Sequence, residues 1–258
     1  SRATTRTVVI ASLAVLGLAG LGYGASAMAV CPTDPAAPAG PWASKSVSAG
    51  GNLSIANTGL NGTSCSLQVS LTVGSSIIAK AFVTDTTPAD EPHYRARFYI
   101  DTTQLTGLDN ALKQVQIFTA AAQTGPAATA NDEVQAFLIG GAGPAPSVRL
   151  IVADSNQGSK FQSVTIPLPN PLGVNRIEFD LVQGASASFR YWVSAGNTAT
   201  SDGSPTGSLT VNNTGWSGIT QSSLGEFSAS AQFRSNAVAG QALILDEFDS
   251  RRTTFIGQ

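Results

Sequence analysis

HYRARFYID, residues His93 to Asp101, alternates without a break: Tyr94, Ala96, Phe98 and Ile100 fall on one side, and His93, Arg95, Arg97, Tyr99 and Asp101 on the other. A period of two is the pattern of a β-strand with one buried and one wetter face. Two arginines two residues apart on the wetter face call for carboxylates or carbonyls as partners. The acidic run LILDEFDSRR, Leu243 to Arg252, supplies them. The two segments are therefore expected in one sandwich, on neighbouring strands, with Arg95 and Arg97 in structural ion pairs with Asp246 and Glu247. A ligand site built from Asp246, Glu247, Asp249, Arg251 and Arg252 is the competing reading of the same charges.

Outward from this strand, the same kind of segment recurs. On the N-terminal side, Leu67, Val69, Leu71 and Val73 alternate with Ser66, Gln68, Ser70 and Thr72; AKAFVTD (Ala79 to Asp85) follows, and TTPADEP (Thr86 to Pro92) turns the chain into the central strand. On the C-terminal side come QVQIFTAAA (Gln114 to Ala122), EVQAFLIGG (Glu133 to Gly141), SVRLIVADS (Ser147 to Ser155) and KFQSVTIPL (Lys160 to Leu168). RIEFDLVQG (Arg176 to Gly184) and SASFRYWVSAG (Ser186 to Gly196) are expected to pair as a hairpin. GSLTVNN (Gly207 to Asn213), EFSASAQFRS (Glu226 to Ser235) and ALILDEF (Ala242 to Phe248) complete the set. A single helical turn is expected only in Thr102 to Lys113. Roughly ten to twelve strands exceed what one open sheet usually holds, so the prediction is an all-β, two-sheet antiparallel β-sandwich of the jelly-roll kind.

Composition agrees. Charged residues make up 12% of 258, the formal net charge is −2, and lysine occurs only at Lys45, Lys80, Lys113 and Lys160. A scattered, scarce basic complement excludes the electrostatic footprint of a nucleic-acid binder. The length suits one large β domain.

The first 29 residues read as a signal peptide: Arg2 and Arg6, an uncharged apolar run from Val8 through Tyr23, then Ala27 and Ala29 as an A-x-A pair. Cleavage there would start the product at Val30. An uncleaved anchor is the alternative, because Val8 to Val30 is as long as the ~20 residues that span a membrane. Residues 30–48 are read as a proline-rich lead-in and 49–258 as the sandwich domain. Export implies a secreted protein, extracellular or periplasmic, with no membrane contact once the signal is removed. In an oxidising compartment Cys31 and Cys65, the only two cysteines, are expected to form one disulfide.

Few residue patterns carry chemistry. Glu178-Phe179-Asp180-Leu181-Val182-Gln183 begins like the E-x-D-x-x-E of a retaining glucanase, in which alternate strand residues hold nucleophile and acid/base, but its second glutamate is Gln183. Glu247-x-Asp249 meets Arg252 and fails in the same way. His93 is the only histidine, which excludes a multi-histidine metal site and leaves no triad; it is expected at the surface. No metal or other cofactor is implied, although Asp154-Ser155-Asn156 could offer oxygens to calcium. Trp192, Tyr99 and Trp216 are the candidate ligand-binding aromatics, since an exposed ring stacks on the apolar face of a sugar; the competing reading is that they are core.

AFVTDTTPADEPHYRARFYID (Ala81 to Asp101), RIEFDLV with FRYWV, GSLTVNNTG and LILDEFDSRRTTFIG together resemble bacterial secreted domains of the concanavalin-A-like, laminin-G-like jelly-roll type, from Ser64 to the C-terminus. The resemblance implies a two-sheet sandwich whose last strand closes beside early ones. Its members include lectins, glucanases and modules without assigned activity. The functional expectation is a secreted, non-catalytic module that binds glycan or another surface protein in an extracellular assembly. A laminarinase-type glycoside hydrolase and a purely structural surface protein are the alternatives.

Overall fold

The computed structural model describes residues 30–258 except 49, 71–79, 88, 106, 126–130, 237–240, 252 and 258. The signal-peptide reading lies outside the described residues, as do Leu71 and Val73 of the alternation after Cys65, and Arg252. In chain order the strands are β1 (Ser44–Ser48), β2 (Asn52–Ala56), β3 (Ser66–Ser70), β4 (Lys80–Asp85), β5 (His93–Asp101), β6 (Gln114–Ala122), β7 (Asp132–Gly141), β8 (Gly143–Ala153), β9 (Phe161–Pro167), β10 (Val174–Val182), β11 (Ala187–Ala195), β12 (Gly207–Val211), β13 (Ile219–Ala229) and β14 (Ala242–Arg251); one short helix, α1 (Ala231–Asn236), lies between the last two.

These strands form two seven-stranded antiparallel sheets. Sheet I has the order β1-β4-β13-β6-β7-β8-β9 and sheet II the order β12-β11-β10-β5-β14-β3-β2. The chain is an all-β sandwich. The central strand β5 sits in the middle of sheet II between β10 and β14, so the arginine-bearing and acidic segments are neighbours, and β10 pairs with β11 as a hairpin.

The apolar residues of each alternation meet between the sheets. Phe98 of β5 stacks on Phe118 of β6 at 5.3 Å, and Phe118 meets Phe179 of β10 edge-on at 5.3 Å. Trp42, ahead of β1, is buried against Phe248 at 5.0 Å. Cys31 and Cys65 are joined as a disulfide, tying the proline-rich segment to the start of β3.

Several local expectations change. β1 and β2 are short, polar strands without strong alternation, and β1 falls inside the segment read as lead-in; tertiary pairing with β4 and β3 makes them strands. The described residues between Thr102 and Lys113 form tight turns rather than a helix, with Leu105 N–H donating to Thr102 O and Leu108 N–H to Leu105 O. The strand expected over Glu226 to Ser235 begins earlier, at Ile219, and stops at Ala229. Ser230 Oγ then accepts the Phe233 N–H at 3.1 Å, a helix N-cap that starts α1. Among the described residues no helix is long and apolar enough to cross a membrane.

Candidate functional site

Each sheet has an outer face, and the two differ in chemistry. On sheet II the outward residues form a charged grid fixed by the register. Asp180 lies between Arg190 and Arg95, Glu178 between Trp192 and Arg97, and Arg176 between Ser194 and Tyr99. On an isolated sheet this would be the wet face. Here it is roofed by the segment after β14, by the loop after β11 and by the loop before β3.

The roof is held by charge-assisted hydrogen bonds. Arg95 Nε donates to Glu178 Oε1 at 2.8 Å and its Nη2 to Asp202 at 2.9 Å, while its guanidinium lies between Trp192 and Phe255 at 4.5 and 4.7 Å. Glu178 also accepts the N–H groups of Ile256 and Gly257 at 3.1 and 3.0 Å. Arg97 donates to Gly257 O at 3.0 Å and pairs with Glu247 at 3.5 Å. Asp246 accepts from Leu60 N–H at 2.7 Å and from the Thr63 hydroxyl; burial nevertheless raises its carboxyl. Burial likewise raises Glu247, opposed by the nearby Arg97 charge.

The sequence-derived candidates divide accordingly. Arg97 meets Glu247 as an ion pair, whereas Arg95 pairs with Glu178 and Asp202 rather than Asp246. Trp192 is 1% exposed and donates Nε1–H to Ser201 O; Tyr99 is 0% exposed. Trp216 packs with Ala122, Ala153 and Phe161 in a separate small cluster. The three aromatics are not brought together, and none presents a ring to solvent. His93 is half-buried rather than at the surface, with Nε2 2.8 Å from Asp180 Oδ1. The Gln183 that breaks the carboxylate pattern links the sheets: its Nε2 donates to Glu133 of β7 at 2.5 Å and to Ser217 O at 2.9 Å. Burial pushes the Glu133 carboxyl up to about 8 despite the lowering hydrogen bonds from Gln183 and Asn213. Asp154 accepts the N–H groups of Asn156 and Asn212, both at 3.0 Å, as a turn residue does; among the described residues no cluster of three His, Cys, Asp or Glu could hold a metal.

The outer face of sheet I carries no comparable network. The register places Ser44, Thr84, Ser223, Thr119, Gln135, Ile151 and Ser163 in one row across all seven strands. Six strand spacings of about 4.8 Å make that row about 29 Å long. Thr84 and Ser223 share a hydrogen bond of 2.9 Å, and with Thr119 they form a buried floor of short hydroxyl side chains between longer neighbours. The adjacent row runs from Ser46 and Phe82 to Gln116, Phe137, Arg149 and Thr165.

Gln116 holds Gln135 at 3.3 Å and Ser228 at 3.2 Å. Irregular pairing between Leu224 and Ser228 brings Phe227 onto Phe82, rings stacked at 4.5 Å and both half-exposed. Neither row contains Asp, Glu, His or Tyr. The two rows therefore offer hydroxyls, amides, aromatic surface and one guanidinium, but no carboxylate or imidazole. The alternating glutamines of QVQ and EVQ were the legible signal for it; the bulge at Ile117 that keeps Gln116 and Thr119 on one side was not.

No family model matches the chain, and no curated protein matches it. Among solved structures it is similar to the endo-β-1,4-glucuronan lyase of the fungus Trichoderma reesei, with a TM-score of 0.54 and 13% identity over 82% of this chain and 91% of that one. The cellulose-induced protein Cip1 is similar at a TM-score of 0.48 and 15% identity, covering 81% of this chain and 91% of that one. The binding domain of botulinum neurotoxin serotype D follows at 0.48 and 11%, covering 80% of this chain and 44% of that one. At such identities the likeness is one of fold, and the lyase carries it: a jelly-roll β-sandwich.

Proposed function

We propose that the chain is a secreted jelly-roll module of the concanavalin-A-like, laminin-G-like kind that binds a glycan chain across the outer face of sheet I without cleaving it. The observation that carries this reading is the half-exposed, stacked Phe82–Phe227 pair beside a seven-strand row whose accessible polar members are Ser44, Gln135 and Ser163, with Thr84, Ser223 and Thr119 buried as its floor and Ile151 in the β8 position. Sugars present hydroxyls around an apolar ring face, and such a surface complements both: Gln135, Ser163 and Ser228 exchange hydrogen bonds with the hydroxyls, and the rings cover the apolar face. Its length suits a chain of several sugar rings rather than a single one. The jelly-roll folds it resembles include a carbohydrate-active lyase, which is compatible with that use of the sheet. Export is supported by the disulfide, which persists in oxidising compartments.

A glycoside hydrolase is the weaker reading. Glu178 and Asp180 are engaged by Arg95, Arg190 and His93 beneath the roof of sheet II, and the two rows of sheet I supply no carboxylate pair.

The test is a glycan array and polysaccharide pull-down with the wild-type chain, Phe227→Ala, Gln135→Ala and, as a control on the roofed face, Arg251→Gln. Binding that the first two substitutions weaken and the third leaves intact supports the reading. A folded protein that retains no glycan would redirect it to a structural or protein-binding role.

A further inference from the structure

Charge separates the two outer faces, and it bears on what kind of glycan sheet I would hold. On sheet II, among the described residues, every outward arginine but Arg176 has a carboxylate partner within 4 Å. On sheet I the single charged side chain in the two rows is Arg149 of β8. Its Nη2 donates to Gln114 Oε1 at 2.9 Å, and its guanidinium lies over Phe137 at 5.0 Å. Among the described residues no carboxylate forms an ion pair with it. Both contacts are neutral: they fix the plane of the guanidinium and leave its charge uncompensated, and the side chain is half-exposed. Lys80, exposed opposite Ser48 on the edge of the same face, adds a second positive charge.

One acid lies at the margin of this face, Asp132, paired with Ala121 at the far end of β7. Five residues of strand separate it from Phe137, the cross-strand partner of Arg149, or about 16 Å at the rise of a β-strand. That exceeds a Debye length at physiological salt, so Asp132 does not neutralise Arg149.

We infer that the glycan is acidic, a polymer of uronate-bearing sugars, and that Arg149 is the residue that reads its carboxylate. The inference rests on the glycan-binding reading above and deepens it. A guanidinium matches a carboxylate in shape and charge, and one already oriented by Gln114 and Phe137 loses little freedom on binding. Gln135, Ser163 and the Phe82–Phe227 pair then hold the neutral ring positions while Arg149 sets the register of the chain.

The experiment compares binding of the full chain to polygalacturonate, to the same polymer after carboxyl reduction, and to dextran sulfate, for the wild type, Arg149→Gln and Arg149→Lys. Thermal unfolding of each variant confirms an intact fold. The expected result is that polygalacturonate binds, that carboxyl reduction and Arg149→Gln each weaken binding by roughly ten- to a hundredfold, and that their effects do not add, because both remove one charge-assisted contact. Arg149→Lys should recover part of the loss. Equal binding of the native and reduced polymers, unaffected by Arg149→Gln, would overturn the acidic assignment while leaving glycan binding standing. Dextran sulfate binding as tightly as polygalacturonate would also overturn it, in favour of unspecific polyanion attraction. Retention of neither these polymers nor any neutral glycan would overturn the glycan reading itself.

Discussion

Arg95 and Glu178 form an ion pair of 2.8 Å on neighbouring strands at the centre of sheet II, and neither side chain exceeds 1% exposure. They are diagonal rather than directly opposite: Arg95 faces Asp180 and Glu178 faces Arg97 across the ladder. The pair anchors the segment after β14, since Glu178 holds two of its N–H groups and Arg95 lies under Phe255. Glu178→Ala is expected to destabilise the fold by about 3–5 kcal/mol, because it leaves the buried guanidinium with only the exposed Asp202 as a carboxylate partner and frees the roof. Phe255→Ala, which spares both charges, should cost less. Denaturant midpoints for the two variants check the order; an equal or reversed ranking would show that ring packing, not charge, holds the roof.

Glu133 gives stability a pH dependence whose sign is set by its burial. Its folded-state pKa, raised from 4.5 to about 8, means that the folded chain keeps a proton that the unfolded chain has lost. Stability from this group is therefore complete below about pH 4.5, falls as pH rises through the window to about 8, and levels off above it. Glu133→Gln retains the shape and removes the titration. The difference in unfolding free energy between the two proteins should grow in favour of the glutamine variant across that window, and a constant difference would refute the assignment.

The Cys31–Cys65 bridge joins residues 34 apart and fastens the segment carrying Trp42, whose ring packs on Phe248. Replacing both cysteines with serine is expected to cost ~3–4 kcal/mol by the chain-entropy account. Thermal unfolding with and without reductant should show the wild type losing a similar amount and the double variant losing none.

Gly225 stands where β13 meets β4, with a positive φ of 143°, and a Cβ there would approach Ala81 O to 2.3 Å and Phe82 Cα to 2.6 Å. Gly225→Ala forces backbone apart beside the stacked Phe82 and Phe227, at an expected cost of ~1–3 kcal/mol. Because the rings lie on the proposed binding face, glycan affinity should fall with it. Stability lost without any change in binding would detach the bulge from the site.

Local sequence was enough to place most of the strands and their facing side chains, though not β1, β2, the start of β13 or the bulge at Ile117. Period-two alternation is a direct consequence of backbone geometry, and β5 and β6 appear with the bounds that HYRARFYID and QVQIFTAAA suggest. The disulfide was equally legible, because only two cysteines are available. Which polar face stays open is a matter of long-range packing. Arg95, Trp192 and Tyr99 alternate with core residues as solvent-facing side chains do, yet all three are buried. Residues distant in sequence, Asp202, Phe255 and Gly257, fold over this face and meet its hydrogen-bonding needs. Burial depends on what packs against a face, and alternation carries no record of that. The hydroxyl row of sheet I is of the same kind: Thr84, Thr119 and Ser223 are unremarked singly, and only the pairing of β4, β13 and β6 sets them side by side.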